Sequence, residues 1–385
     1  MSVPIFVGSA FVAGYPEGGG AFWVPLQWLL GLLAHGLDAW WLECLWTQGN
    51  PTRDRACIEA FLQATVRLGV GDRVALLYLP EGSRDDPPRR IEHLGLDADG
   101  LAARAREGVL LNLAHGVTPP LRAGFARTAL FDVDPGPFQI WARQVDLGVG
   151  RHDVHLTLGW NLGAADSPLS LEGVAWEPLW PAVHLEAWPD VAAAGVGTRW
   201  TTVTQWWNEH AAWDGDDCYD CSKRTGFLRV LELPGRTGLP LELAVNLHPG
   251  EVEDRALLLR HGWRLADPAR VAGSPEAFRR YLQASRGELS AAKPAYVKAR
   301  SGWLSDRTVA YLASGRPCVV EDTGAARHLP ASPGLRFWSD LDEAADALRV
   351  MEGDLPRAAR AARRLAEEVF STRAQLPRLL AALGL

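Results

Sequence analysis

The stretch RSGWLSDRTVAYLASGRPCVVEDTG, residues 300–324, is the most informative part of the chain for the fold. It reads as a turn, a helix, a second turn and a short buried strand. Ser305 is a good N-cap, and the apolar residues after it recur at helical spacing. Gly315 and Pro317 end the helix before the strand CVV. Because unpaired N–H groups and the helix dipole attract negative charge, we expect an anion, with a diphosphate as the first candidate, at this helix N-terminus.

Upstream of this stretch, short apolar strands alternate with amphipathic helices. The first series has expected strands at 4–12, 39–43, 73–79, 109–114, 128–133 and 152–159, and helices at 22–35, 54–68, 97–107 and 137–144. The second has expected strands at 199–206, 241–247 and 263–267, and helices at 251–261 and 275–284. Strands that alternate with helices predict parallel sheets covered on both faces.

The chain length and one change in composition predict two domains. A chain of 385 residues is too long for one compact core, and the segment 164–197 is rich in Pro, Gly, Ala and Trp. We therefore expect an α/β protein with two Rossmann-like doubly wound domains, residues 1–195 and 196–360, that face each other across a cleft. Helical segments over 361–385 are expected to pack back toward the first domain. Ligands bind in such clefts, at the carboxyl ends of the strands.

Composition argues against several classes of protein. The net charge is −7 and no stretch gathers Lys and Arg, so a nucleic-acid partner is not expected. The apolar run at 23–34 is shorter than a membrane span, and five scattered cysteines do not form a disulfide framework, which together predict a cytoplasmic protein. CYDC at 218–221 lacks the further ligands of a zinc site, so no metal is expected. The 17 tryptophans are expected mostly in the core, with an aromatic-lined cleft as the alternative.

The stretch 300–324 resembles the donor-binding motif of nucleotide-sugar glycosyltransferases of the GT-B fold, in particular the family that glycosylates plant and bacterial small molecules. That motif runs His-Cys-Gly-Trp-Asn-Ser, then a Glu, then Gly-x-Pro. In register, this chain has Arg300, Ser301, Gly302, Trp303, Leu304 and Ser305, with Gly315 and Pro317 at the family's spacing. Three positions depart from the motif: Arg300 replaces the phosphate-contacting His, Leu304 replaces the Asn, and the ribose-binding Glu falls on Ala310.

The resemblance implies a set of donor-binding residues. The diphosphate is assigned to Arg300, Gly302, Ser305 and Lys293. Ribose contacts are left to Asp306 or Glu321, and sugar hydroxyls to Glu321 or Asp322, with Thr323 beside them. The SRGE stretch lies where related enzymes carry a loop facing the nucleotide, so Ser285 and Glu288 either contact the nucleotide there or cap a helix. His248 follows a predicted strand and is a further candidate at the cleft edge.

Candidates for the acceptor side come from the first domain. Many glycosyltransferases use a His or a carboxylate there to take the proton from the attacking hydroxyl. The expected His after the first strand is absent, so Asp134 and Asp132 of FDVDPG, and then Glu17, are the candidate bases, although such residues are also common in turns. An enzyme that retains configuration needs no dedicated base. Gly19 and Gly20 of GYPEGGG and Asn161 are the candidate acceptor contacts.

The sequence thus predicts a glycosyltransferase that uses a nucleotide-diphosphate sugar as its donor, with neither a cofactor nor a metal. The alternatives are a nucleotide-sugar 2-epimerase and a non-catalytic nucleotide-sugar-binding protein. The sugar, the base of the nucleotide, the acceptor and the stereochemical outcome stay open.

Overall fold

The computed structural model describes residues 3–81, 88–169, 171, 173–195, 197–208 and 210–385, and it contains two large β-sheets. The strands of the first sheet are β1 (Ile5–Ser9), β2 (Ala39–Trp46), β3 (Val74–Glu81), β4 (Arg90–Gly95), β5 (Val109–Leu113), β6 (Arg127–Asp132), β7 (Val154–Thr157) and β8 (Glu177–Pro178). They lie in the order β4-β3-β2-β1-β5-β6-β7-β8, and every pairing is parallel except that of β3 with β4.

Helices cover both faces of this first sheet. They are α1 (Gly19–Ala34), α2 (Pro51–Arg67), α3 (Ala98–Ala105), α4 (Pro119–Arg122) and α5 (Pro137–Gln144). β2, AWWLECLW, is buried along nearly its whole length, which is typical of a central parallel strand with a layer of helices on either side.

The second sheet has six strands, all parallel. They are β9 (Trp200–Gln205), β12 (Leu241–Asn246), β13 (Arg264–Ala266), β14 (Gly287–Ser290), β15 (Cys318–Glu321) and β16 (Leu335–Trp338), in the order β13-β12-β9-β14-β15-β16, while β10 (Ala212–Asp214) and β11 (Asp217–Tyr219) form a separate hairpin. Its helices are α6 (Arg224–Arg229), α7 (Leu233–Thr237), α8 (Val252–Arg260), α9 (Pro268–Ala272), α10 (Pro275–Gln283), α11 (Pro294–Lys298), α12 (Asp306–Ala313) and α13 (Leu341–Gly353).

Two further helices close the chain. α14 (Leu355–Leu365) packs against α12, and α15 (Thr372–Leu383) packs against α1 of the first half. A Cβ at Gly31 of α1 would lie 2.5 Å from Cβ of Thr372, so a glycine is required where α15 crosses α1. The end of the chain therefore ties the second half of the molecule to the first. The domain limits given above stay a prediction.

The predicted α/β fold with two doubly wound domains is confirmed. In each sheet the first strand lies between its two halves, β1 beside β5 and β9 beside β14, and the chain order reverses there. Ligands bind at such switch points, outside the carboxyl ends of the strands. Within the described ranges, no helix combines the length and the apolar character that crossing a bilayer demands.

The sequence did not predict several of the described strands, namely β4, β8, the β10–β11 hairpin, β14 and β16, nor the helices α4, α6, α7, α9, α11 and α13. The SRGE stretch was expected to be a loop or a helix cap, but its last two residues begin β14, which lies at the centre of the second sheet. β14 is the short segment GELS, and its buried Glu288 is paired with a buried arginine. The segment therefore lacks the apolar pattern that marks a buried strand.

Candidate functional site

A cleft of about 570 Å³ lies between the two sheets. Its walls come from both halves of the chain: the loops that follow β1, β6, β7 and β8 and the helix α1 on one side, and the ends of β9 and β12 with the start of α12 on the other. Four tryptophans, Trp23, Trp28, Trp207 and Trp303, are among the lining residues. The volume falls in the range of small-molecule sites.

The start of α12 forms part of the second wall. The Ser305 hydroxyl oxygen caps the helix by accepting a hydrogen bond from the backbone N–H of Arg307 at 3.2 Å. Both Ser305 and Asp306 line the cleft. Burial raises the pKa of the Asp306 carboxyl, while nearby Arg307 and Lys223 oppose this shift. The helix N-terminus that the sequence proposes as an anion site therefore lies at a ligand-sized cavity.

Arg307 is buried and makes three side-chain hydrogen bonds. Its guanidinium donates to Glu288 Oε1 at 2.7 Å, to Ser290 Oγ at 2.7 Å and to the carbonyl oxygen of Val203 at 2.8 Å. It therefore joins α12 to the two neighbouring strands β9 and β14. This arrangement holds the helix N-terminus in place, and it leaves Glu288 facing the protein interior rather than the cleft.

Lys223 is a cation that lines the cleft. It lies between the β10–β11 hairpin and α6, and its ammonium is 5.8 Å from the ring centroid of Trp303. Among the described residues, its ammonium forms neither a hydrogen bond nor an ion pair. Burial, reinforced by the positive charge of Arg307, lowers its pKa to about 7. The charges of Glu288 and Asp306 oppose this shift, but neither carboxylate pairs with the ammonium, and a partly buried ammonium of this kind favours an anionic ligand.

A second lysine bridges the two halves of the molecule. Lys293, just before α11, places its Nζ 3.0 Å from each carboxylate oxygen of Asp134, which follows β6. The hydroxyl of Tyr296 donates a hydrogen bond to Asp134 as well, and the centroids of the Tyr296 and Trp303 rings lie 4.4 Å apart. Burial, followed by the charge of Asp134, raises the pKa of Tyr296, so the phenol stays protonated as a donor.

Asp132 lies beneath Asp134 and supports it. Its carboxylate accepts hydrogen bonds from Gln139 Nε2 at 2.8 Å, from Thr157 Oγ1 at 2.9 Å and from the backbone N–H of Asp134 at 2.9 Å. The side chain is fully buried, and burial raises its pKa to about 7. Because Asp132 is not among the residues that line the cleft, its position fits a support for Asp134 rather than a base. Glu17 is exposed at the cleft wall.

The loop after β1 is held from below by a buried carboxylate. Glu43 accepts hydrogen bonds from the backbone N–H groups of Val12 at 2.8 Å and Ala13 at 3.0 Å. The loop leads to Gly19 and Gly20, which line the cleft where α1 meets the second half of the molecule. A Cβ at Gly19 would lie 2.3 Å from the carbonyl oxygen of Ser274, so the close approach of the two halves requires glycine there.

Several residues expected at the donor or acceptor site lie elsewhere. Arg300 has a positive φ of 47°, a side chain that is 65% exposed, and an ion pair with Asp166 at 3.8 Å, outside the cleft lining. Asn161 is buried, and its amide donates to the Arg300 carbonyl oxygen at 2.7 Å, so it joins two loops instead of facing an acceptor. Gly302 packs against Asn161.

The remaining expected donor residues serve the second sheet and its loops. Glu321 is buried and accepts from Arg229 and from the backbone N–H of Ala292. Asp322 caps the turn that follows β15. The other three are the buried Thr323, whose hydroxyl donates to the Trp303 carbonyl oxygen at 2.6 Å, the buried Ser285, bonded to Thr201 at 2.6 Å, and the exposed His248, outside the cleft lining.

Of the expected residues, seven therefore line the cleft: Asp134, Glu17, Gly19, Gly20, Lys293, Ser305 and Asp306. Sequence reasoning missed Lys223, Tyr296 and the role of Arg307. The signal for Lys223 was the basic pair in CSKR, directly after an acidic loop.

Comparison with known proteins identifies the fold. No family model matches the chain, and no curated protein matches it in sequence. The chain is similar in structure to AviGT4, a glycosyltransferase involved in avilamycin A biosynthesis, at 15% identity and a TM-score of 0.53, over 100% of this chain and 99% of that one. It is also similar to Anabaena Alr3699/HepE in complex with UDP-glucose, at 11% identity and a TM-score of 0.56, over 99% and 100% of the two chains.

A third similar structure is an alpha-glucosyltransferase in complex with UDP and a 13-mer DNA, at 9% identity and a TM-score of 0.55, over the full length of both chains. At such identities the similarity defines the fold, which extends from one end of the chain to the other. The protein has the GT-B fold of nucleotide-sugar glycosyltransferases.

Proposed function

We propose that this protein transfers a sugar from a nucleotide-diphosphate sugar to the hydroxyl of an acceptor. The observation that carries the proposal is Lys223, an ammonium without a partner among the described residues that lines the cleft of a GT-B fold together with the N-terminus of α12. A diphosphate would place its negative charge beside both this ammonium and the helix N-terminus. The first half of the chain is then left to bind the acceptor.

The donor is expected to bind on the wall formed by the second half of the chain. Lys223 and the Ser305-capped helix N-terminus would hold the diphosphate, with Lys293 as a second cation on the same wall. Asp306 lines the cleft beside them, and its carboxyl oxygens suit the hydroxyl groups of a ribose or a sugar.

Asp134 is the proposed base. The acceptor oxygen would form a bond to the anomeric carbon while the bond from that carbon to the diphosphate oxygen breaks. The acceptor proton passes to Asp134, and the nucleoside diphosphate leaves with the electron pair, its charge stabilised by Lys223 and by the helix N-terminus. Lys293, whose Nζ lies 3.0 Å from the carboxylate oxygens of Asp134, and the hydroxyl of Tyr296 hold this carboxylate in position at the cleft.

The similar structures support a uridine nucleotide as the first donor to test. Alr3699/HepE is seen with UDP-glucose, and the alpha-glucosyltransferase with UDP. Neither similarity defines the acceptor. The five cysteines are free, which fits the proposed location in the cytoplasm, a reducing compartment.

A thermal-shift screen against UDP, TDP, GDP and their sugars tests the proposal. A ligand that binds the folded state raises the melting temperature as its concentration increases. We expect a shift with at least one nucleotide, followed by release of that nucleotide when donor and acceptor are mixed. A shift without sugar transfer or hydrolysis across broad acceptor panels would instead support a non-catalytic nucleotide-sugar-binding protein, and no shift at all would remove the donor site.

A further inference from the structure

The side-chain amide of Asn161 joins the first half of the chain to the second. This residue lies in the loop after β7 and is only 2% exposed. Its Nδ2 donates to the backbone carbonyl oxygens of Arg300 at 2.7 Å and Gly324 at 3.3 Å. Its Oδ1 accepts from Arg327 Nε at 2.8 Å and from His328 Nε2 at 2.5 Å. An amide has two N–H donors and one oxygen with two lone pairs, so these four bonds use its whole hydrogen-bonding capacity.

The neighbours of this amide fix its orientation. A guanidinium only donates hydrogen bonds, and a backbone carbonyl oxygen only accepts them. The amide oxygen of Asn161 must therefore face Arg327, and its nitrogen must face the two carbonyl oxygens. The two ends of the amide thus have different partners. The oxygen binds side chains of the segment after β15, and the nitrogen binds the main chain of two turns in the second half.

The two turns that the amide nitrogen binds have left-handed backbone conformations. In the first turn, φ is 47° at Arg300 and 74° at Gly302, and in the second turn it is 89° at Gly324. Such a φ is unfavourable for a residue with a Cβ, such as Arg300, and persists only where the surroundings hold it. A Cβ at Gly324 would lie 2.5 Å from Nδ2 of Asn161, and one at Gly302 would lie 3.0 Å from its Cγ. The amide therefore fills the space between the two turns.

The first turn leads directly into α12, whose N-cap is Ser305. The backbone N–H of Gly302 donates to the carbonyl oxygen of Thr323 at 2.8 Å, and the Thr323 hydroxyl donates to the carbonyl oxygen of Trp303 at 2.6 Å. Trp303 and Ser305 both line the cleft, whereas Asn161 is not among the lining residues. Any effect of Asn161 on a ligand in the cleft is therefore transmitted through this turn.

We infer that Asn161 is a positioning residue for the donor: from the first half of the chain, it holds the turns that set the N-terminus of α12. The inference rests on the proposed function, which places the diphosphate at this helix N-terminus. Backbone N–H groups bind a phosphate best where their direction is fixed beforehand, because less conformational freedom is then lost on binding. Donor binding by the second half of the chain therefore depends on a side chain of the first half.

Three variants of the full-length protein, each titrated with UDP by calorimetry, test this inference. Asn161→Asp keeps an oxygen where the amide oxygen accepts, but it places a second oxygen where the nitrogen faces two carbonyl oxygens. Asn161→Ala removes both sets of contacts without adding a charge, so it separates a loss of positioning from repulsion of UDP. Asn112→Ala is the matched control: Asn112 is buried at the carboxyl end of β5, and its side chain is hydrogen-bonded to Val117 and His152 of the same half.

We expect both Asn161 variants to bind UDP about tenfold more weakly than the wild type, and Asn112→Ala to bind it with a Kd within about twofold. A second measurement reports on the turn itself. Amide hydrogen exchange over residues 300–305, followed by mass spectrometry without UDP, should be faster in the Asn161 variants and unchanged in Asn112→Ala. Melting temperatures show which variants fold, and all titrations are made well below them. If Asn161→Ala does not fold, Asn161→Asp and its exchange rates carry the comparison.

Several results would overturn the inference while the proposed donor site stands. They are a Kd within about twofold of the wild type in the Asn161 variants, an equal loss of affinity in Asn112→Ala, and a loss in Asn161→Asp that a folded Asn161→Ala does not share. Faster exchange of residues 300–305 with an unchanged Kd would overturn it too. Failure of the wild type to bind UDP, TDP or GDP would instead remove the donor site, and the inference with it.

Discussion

Replacement of Lys223 by methionine separates a ligand-binding cation from a structural one. The Lys223 ammonium lines the cleft, lacks a partner among the described residues, and has a pKa lowered to about 7 by burial. Methionine keeps the length and the apolar stem of the side chain but removes the charge. If a diphosphate binds there, the variant loses one charge-assisted contact of about 1.5–3 kcal/mol, which corresponds to a roughly 10- to 150-fold weaker Kd for the nucleotide.

The same substitution has the opposite effect on the free protein. Burial of an unpaired charge costs free energy, so Lys223→Met is expected to melt at the same temperature as the wild type or higher. Calorimetric titration with UDP-glucose and a melting curve of the free protein give both numbers. Arg300→Ala is the matched control: its side chain is 65% exposed outside the cleft, and we expect a Kd within about twofold of the wild type. An unchanged Kd in Lys223→Met, or a large loss of stability, would show that Lys223 is a structural cation and not a donor contact.

The contacts of the cleft lead to three more expectations. Asp134→Asn should lower kcat by about 10²-fold or more while donor binding is kept, because it removes the proposed base and frees Lys293. Turnover at the wild-type rate would show that Asp134 is not the base. Donor affinity should fall as the pH rises through about 7, since the Lys223 ammonium predominates below its pKa, and calorimetry at pH 6 and pH 8.5 should show this in the wild type but not in Lys223→Arg; an equal pH dependence in both proteins would point to another group. Gly19→Ala should lower the free energy of unfolding by about 1–3 kcal/mol, because the new Cβ would lie 2.3 Å from the Ser274 carbonyl oxygen and 2.4 Å from that of Ala272. Gly235→Ala is the control and should leave the free energy of unfolding unchanged, because its Cβ meets nothing within 4 Å. Equal denaturation midpoints for the two variants would contradict the close approach of the two halves at Gly19.

The fold could be predicted from the sequence because its strands and helices have characteristic local sequence patterns. The buried strand AWWLECLW, the Ser305 cap and the helix that ends at Gly315 all carry short-range signals. β14 was not readable, since its glutamate is buried only because Arg307, which is 19 residues away in sequence, pairs with it at 2.7 Å. A pattern confined to one segment does not reveal such a pairing.

The candidate site could be predicted only in part, because it too depends on contacts between residues that are distant in sequence. The resemblance to a motif placed α12 at a cleft, and the structure puts its N-terminus there. The same resemblance assigned the phosphate to Arg300, which a backbone with positive φ turns toward Asp166 and away from the cleft. Lys223 reaches the cleft through the β10–β11 hairpin, a tertiary arrangement that carries little local signal.

A crystal structure of the protein with UDP bound would locate the donor site directly. We expect the diphosphate to lie in the cleft, with a phosphate oxygen about 3 Å from Nζ of Lys223 and others facing the Ser305 end of α12. Nucleotide density away from both features, in a crystal where UDP is bound, would contradict the proposed donor site and would require it to be sought elsewhere on the molecule.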